Sequence, residues 1–129
     1  MIYIYCLVNP VNSIPFYVGA TKVSINTRLS YHIHESKHIL PQYRDKKHTF
    51  ISNLLSTGIR PTARLLYITT LYGAEYYELF FYNMLIKYGF TLLQTEPSGY
   101  TKKLISEYQK KCNYIKTNGF VIHYKNSTK

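Results

Sequence analysis

Acidic side chains are scarce in this chain: 6 Asp and Glu stand against 16 Lys and Arg, a net charge of +10 over 129 residues. A surplus that large on a small domain points to a polyanionic partner, nucleic acid ahead of an anionic membrane. Cysteine is almost absent. Cys6 and Cys112 are too few and too far apart for a zinc motif, and two free thiols in a cytoplasmic protein are favoured over one disulfide. No apolar run approaches the ~20 residues needed to span a bilayer, so no membrane partner is expected. Met1 leads straight into strand-like residues with no basic segment before them, which speaks against a secretory leader. Internal repeats and low-complexity stretches are also missing. What remains is one domain by length, with 46% hydrophobic residues, enough for a single core.

Residues 2–8 are β-branched and aromatic and predict a strand; Asn9-Pro10-Val11-Asn12-Ser13 is turn chemistry, and residues 15–19 predict a second, antiparallel strand ending at Gly19. A helix is expected from about Thr21 to Ser24 as far as Lys37, with Ile25, Leu29 and Ile33 as its buried seam. Arg28 and His32 share that spacing one step round the helix, at the border of core and solvent. Residues 38–48 are polar and basic and read as a loop. Phe50, Ile51, Leu54 and Leu55 give a short helix ended by Gly58. Residues 63–69 predict a third strand. Residues 74–88 predict a helix apolar on most sides and therefore largely buried, with Glu75 and Glu78 on one face. An extended piece follows at 90–94 and a turn at 96–99. Residues 101–117 predict an amphipathic helix, with Leu104, Ile105, Tyr108, Cys112 and Ile115 as its apolar stripe, and residues 120–124 an edge strand. The expected class is α+β: a small three-stranded antiparallel sheet flanked by helices.

The charge is uneven. Residues 101–129 hold seven Lys and one acid, Glu107. Lys102, Lys103, Lys110 and Lys111 there, with Lys22, Lys37, Lys46, Lys47 and His48 earlier, are the candidate contacts to a nucleic-acid backbone. The bland alternative for the tail is a solvated helix face, but nearly all of its charge is of one sign.

Four residue types recur in an order that carries more information than any one of them. Tyr5 lies in Tyr5-Cys6-Leu7-Val8-Asn9, Tyr17 in Phe16-Tyr17-Val18-Gly19, Arg28 on the next helix and Glu78 on a later one. This set resembles the GIY-YIG nuclease family, over residues 2 to about 99. Some members also carry a His one turn after the Arg, which falls on His32. Leu54 to Pro61, Ala74 to Glu78 and Gly89 to Gln94 are similar to further stretches of one subgroup. Ile4 stands where the first motif has Gly, and Gln94 where an Asn often closes the site. Tyr3 competes as the first phenol, and Tyr5 fits the family's Tyr-x-Ile/Leu-x-Asn pattern better.

The resemblance implies a nuclease domain over residues 1–99 with a basic extension over 100–129 packed on it. It implies a divalent-metal-dependent endonuclease that hydrolyses phosphodiester bonds of DNA, double-stranded first. Glu78 would bind one Mg²⁺ or Mn²⁺, with Glu75 as the alternative ligand; Arg28 would grip the phosphate through its planar fork of donors. Tyr5 would be the general base toward water. A free phenol has pKa ~10, and a guanidinium and a metal beside it favour phenolate. Tyr17 would orient water or phosphate, and His32 would assist proton transfer or touch phosphate. Against this, the chain has 15 Tyr, and a strand Tyr is by default sheet filler. The replacements at Ile4 and Gln94 motivate a second reading, a catalytically inactive nucleic-acid-binding module on the same scaffold. Association is open between a monomer and a homodimer formed through the stripe at 104–115.

Overall fold

The computed structural model describes residues 1–94 and, beyond them, Ser106, Glu107, Gln109, Lys110, Lys111 and Asn113, all helical. Strand β1 (Ile2–Asn9) pairs antiparallel with β2 (Ile14–Thr21) on one side and with β3 (Thr62–Thr69) on the other, giving the sheet order β2-β1-β3. This is the expected α+β class. Helix α1 (Ile25–His38) and α2 (Lys46–Ser56) lie between β2 and β3 in sequence, with a single 3-10 turn at Pro41–Tyr43 between them; α3 (Leu71–Lys87) follows β3.

β1 is central and buried on both faces, which is why its sequence is an unbroken apolar and aromatic run. Ile2, Ile4, Cys6 and Val8 pack toward Ala74, Tyr82 and Leu85 of α3. Tyr5 and Leu7 face the other way, toward Leu29 and Ile33 of α1 and Ile51 of α2. The pleat therefore divides one strand between two cores, and everything chemical on β1 points to the α1–α2 side. The register shifts between Ile4 and Tyr5 against β3, and between Leu7 and Val8 against β2. Irregularities of this kind bend a strand and re-aim its side chains, and here they bracket Tyr5 to Leu7. Cys6 is a free, buried thiol whose pKa burial pushes up to about 11 against the opposing pull of Arg64, so it packs rather than reacts. Cys112 lies outside the described residues, as do the turn at 96–99 and the edge strand expected at 120–124.

Three expectations are corrected. Residues 46–48 are the first turn of α2, not loop. Asp45 caps the helix by accepting from His48 N at 2.8 Å, and the His48 ring closes a reciprocal capping box. A first turn of Lys-Lys-His shows no apolar period, so periodicity alone starts the helix late. Second, α3 is not largely buried. Its inward stripe is Ala74, Glu78, Tyr82 and Leu85, while Tyr72, Tyr76, Leu79, Phe80 and Ile86 are exposed. A groove of about 590 Å³ between Tyr76, Phe80, Met84 and Tyr88 lies on that outer side. Third, Arg28 and His32 do not share a border position. Arg28 is half-buried, but His32 is 0% exposed. No helix among the described residues is long and apolar enough to cross a membrane.

Candidate active site

Tyr5 is the centre of the cluster. Its hydroxyl lies 2.7 Å from His32 Nε2, and its ring stands 6.4 Å from that of Tyr17 on the neighbouring strand. Tyr17 in turn meets His32 edge-on at 5.2 Å. Arg28 and Glu78 both lie within electrostatic reach of the Tyr5 phenol. Tyr5, Tyr17, Arg28, His32 and Glu78 are thus brought together from β1, β2, α1 and α3. Glu78 is 1% exposed on the inner stripe of α3, whereas Glu75 is on the solvent side.

The space for this cluster depends on Gly19. It pairs directly with Tyr5 across β1 and β2, and a Cβ at Gly19 would sit 2.6 Å from Tyr5 Oη and 2.9 Å from Tyr17 Cε2. Glycine is required here for close approach, not for its backbone angle. The sequence marks Gly19 only as a strand end; counting register back from the turn places Val18 opposite Tyr5, and the shift between Leu7 and Val8 brings Gly19 there instead.

The protonation states follow from burial. Tyr5 is held well above the usual phenol range, first by burial and then by the neighbouring Tyr17; Arg28 opposes this and Glu78 adds to it. Removal from water outweighs the guanidinium, so without a bound cation Tyr5 rests as a neutral phenol. Burial, then Lys47, Arg28 and His48, push His32 down to about 2, so its imidazole is neutral. The neutral phenol and the neutral imidazole thus share one hydrogen bond at His32 Nε2, and His32 Nδ1 is buried with no hydrogen-bond partner.

The basic residues separate. Lys47 leaves the expected surface patch and enters the site, its Nζ 4.9 Å over the Tyr17 ring. Burial lowers its pKa, Asp45 and Glu35 oppose, and Arg28 lowers it further. His48 is buried and its ring nitrogen Nδ1 accepts from Asp45 N in the α2 cap. Lys22, Lys37, Lys46, Lys110 and Lys111 are exposed, and Lys102 and Lys103 lie outside the described residues.

Gln94 lies at the outer edge of β2. Val18 N donates to Gln94 Oε1 at 2.9 Å, Gln94 Nε2 donates to the Val18 carbonyl at 2.6 Å, and Leu93 N donates to Phe16 O at 2.9 Å. The amide continues the sheet where its edge would be open, and holds the strand that carries Tyr17. Gln94→Ala leaves two part-buried backbone groups without that partner and is expected to lower stability by about 1–3 kcal/mol. Urea unfolding measures this; a change below roughly 0.5 kcal/mol, the range of neutral surface substitutions, would remove Gln94 from this role.

Among the described residues no group of three or more His, Cys, Asp or Glu gathers as a metal cage. Glu78 offers one buried carboxylate within electrostatic reach of the phenol. That donor set fits a hard divalent cation that completes its shell with water and phosphate oxygens. It does not fit a structural zinc site. Comparison with family models, curated proteins and solved structures finds no match.

Proposed function

We propose that this chain is a divalent-metal-dependent endonuclease of the GIY-YIG type, hydrolysing phosphodiester bonds in double-stranded DNA. The observation that carries the reading is the convergence of Tyr17, Arg28, His32 and Glu78 on one phenol, Tyr5, in a domain of net charge +10. These groups supply what phosphodiester hydrolysis requires. Arg28 binds two phosphate oxygens through its fork. Tyr5 accepts a proton from the attacking water as its own hydroxyl proton passes to His32 Nε2, and a buried neutral phenol can do so only through such a coupled transfer. The water oxygen bonds to phosphorus, one P–O ester bond breaks, and the departing oxygen takes its proton from solvent. A divalent cation on Glu78, Mg²⁺ or Mn²⁺, neutralises phosphate charge and stabilises the departing oxygen when bound. Lys47 adds positive charge on the Tyr17 side of the same site.

The neutral resting state of Tyr5 favours a second reading, a binding module on this scaffold that does no chemistry. One assay separates the two. The endonuclease converts supercoiled plasmid to open circles with Mg²⁺ or Mn²⁺, and EDTA stops it. Plasmid retarded on a gel with a steep salt dependence but never nicked would overturn the enzyme and leave the binding module.

A further inference from the structure

His32 Nδ1 is buried with no hydrogen-bond partner, and in the tautomer that the nuclease reading requires, with Tyr5 donating to Nε2, it carries the ring proton. The carboxylate of Glu35, one turn on along α1, has its Oε1 4.0 Å from Nδ1. A hydrogen bond of this type closes at ~2.7–3.2 Å, so the gap is about an ångström. The Glu35 side chain is 46% exposed, whereas His32 is fully buried, so closing the gap falls to Glu35.

The charges around His32 make that carboxylate consequential. Tyr5 faces the ring from β1 and Tyr17 from β2; Arg28 stands on α1, and Lys47 and His48 on α2. Three of these neighbours oppose a proton on the imidazole. Glu35 is within electrostatic reach of Arg28, Lys47 and His48 alike, so it is placed to offset all three.

We propose that Glu35 is a positioning residue of this site: its carboxylate accepts the Nδ1–H of His32 and thereby makes the imidazole a competent acceptor for the Tyr5 proton. The proposal rests on the nuclease reading and deepens it. When water gives its proton to the Tyr5 oxygen and Tyr5 gives its own to Nε2, His32 becomes an imidazolium with both N–H groups bonded, one to Tyr5 and one to Glu35. No further reactant is needed. Without Glu35 the same transfer leaves a buried cation among Arg28 and Lys47 with one donor unsatisfied.

The test is plasmid nicking by the full chain across a pH series, for wild type, Glu35→Ala, Glu35→Gln and Glu35→Asp, with far-UV circular dichroism to verify folding. Glu35→Ala is expected to lower kcat by about 10- to 100-fold with KM little changed, a part of what acid–base groups contribute. Glu35→Gln keeps an acceptor but no charge and falls between, and Glu35→Asp recovers part of the rate. The loss shrinks as pH rises, because hydroxide then removes the proton that His32 would take. A folded Glu35→Ala with wild-type kcat, or a loss equal at every pH and unaided by Asp, would overturn the role of Glu35 and leave the nuclease standing. A wild type that never nicks DNA overturns both.

Discussion

Glu78→Ala is expected to lose metal-dependent plasmid nicking by on the order of 10³-fold, ~4 kcal/mol of barrier, while DNA binding persists. Glu78 is the acid on the inner stripe of α3, 1% exposed and within electrostatic reach of Tyr5. Removing it takes away the single buried oxygen donor proposed for the cation, and no second described carboxylate is buried beside the phenol. The remaining basic surface is untouched, so affinity for the DNA backbone and its salt dependence persist. Glu75→Ala is the matched control: three residues earlier on the same helix, exposed, and expected to nick as wild type. Nicking by the Glu78 variant at the wild-type rate would transfer the metal to another donor and remove the reading built on Glu78. Equal loss in both variants would point to helix α3 as a whole rather than to one carboxylate.

Gly19→Ala is expected to reduce both stability and activity. The added methyl would stand 2.6 Å from Tyr5 Oη, 2.8 Å from Tyr5 Cζ and 2.9 Å from Tyr17 Cε2. All three atoms belong to rigid aromatic side chains, so none can bend away locally. Tyr5 is 1% exposed and bonded to His32, so it moves only by disturbing the core under α1 and α2. Overpacking of this kind costs ~1–3 kcal/mol. Displacing a reacting group by ~1 Å costs roughly 10²-fold in rate. Thermal unfolding and nicking, measured on the same preparation, check the two parts. An alanine variant that melts and nicks as wild type would mean that the strands separate there at no cost, contrary to their pairing at Tyr5 and Gly19.

The parts of the fold that repeat a simple pattern could be read directly from the residues. The hairpin of β1 and β2 announced itself by β-branched strands about an Asn-Pro turn, and α1 by Ile25, Leu29 and Ile33. Gly58 ends α2 with φ of 81°, as its place after Leu54 and Leu55 suggested. What did not come through depends on contacts between distant residues. The start of α2 is set by a cap between Asp45 and His48, which leaves no apolar trace. Apolarity all round α3 implies burial, yet only one stripe meets the sheet, and Tyr72, Tyr76, Leu79, Phe80 and Ile86 are exposed. The candidate site follows the same division. Tyr5, Tyr17, Arg28, His32 and Glu78 could be named from the resemblance to the GIY-YIG family, residue by residue. The protonation of Tyr5 could not, because desolvation is a property of the packed core. Lys47 was assigned to a surface loop because its position over Tyr17 exists only once α2 begins at Lys46.

The candidate site takes Tyr5 from the first strand, Tyr17 from the second, Arg28 and His32 from the first helix, Lys47 from the second and Glu78 from the third. Its members enter the chain over most of its described length, in the order of synthesis. A growing polypeptide that has emerged only as far as β3 holds both phenols and the guanidinium but lacks the carboxylate of α3. Such a chain carries no complete site. On the nuclease reading proposed above, competence to cut would therefore come only once α3 has emerged and the core has closed around Tyr5.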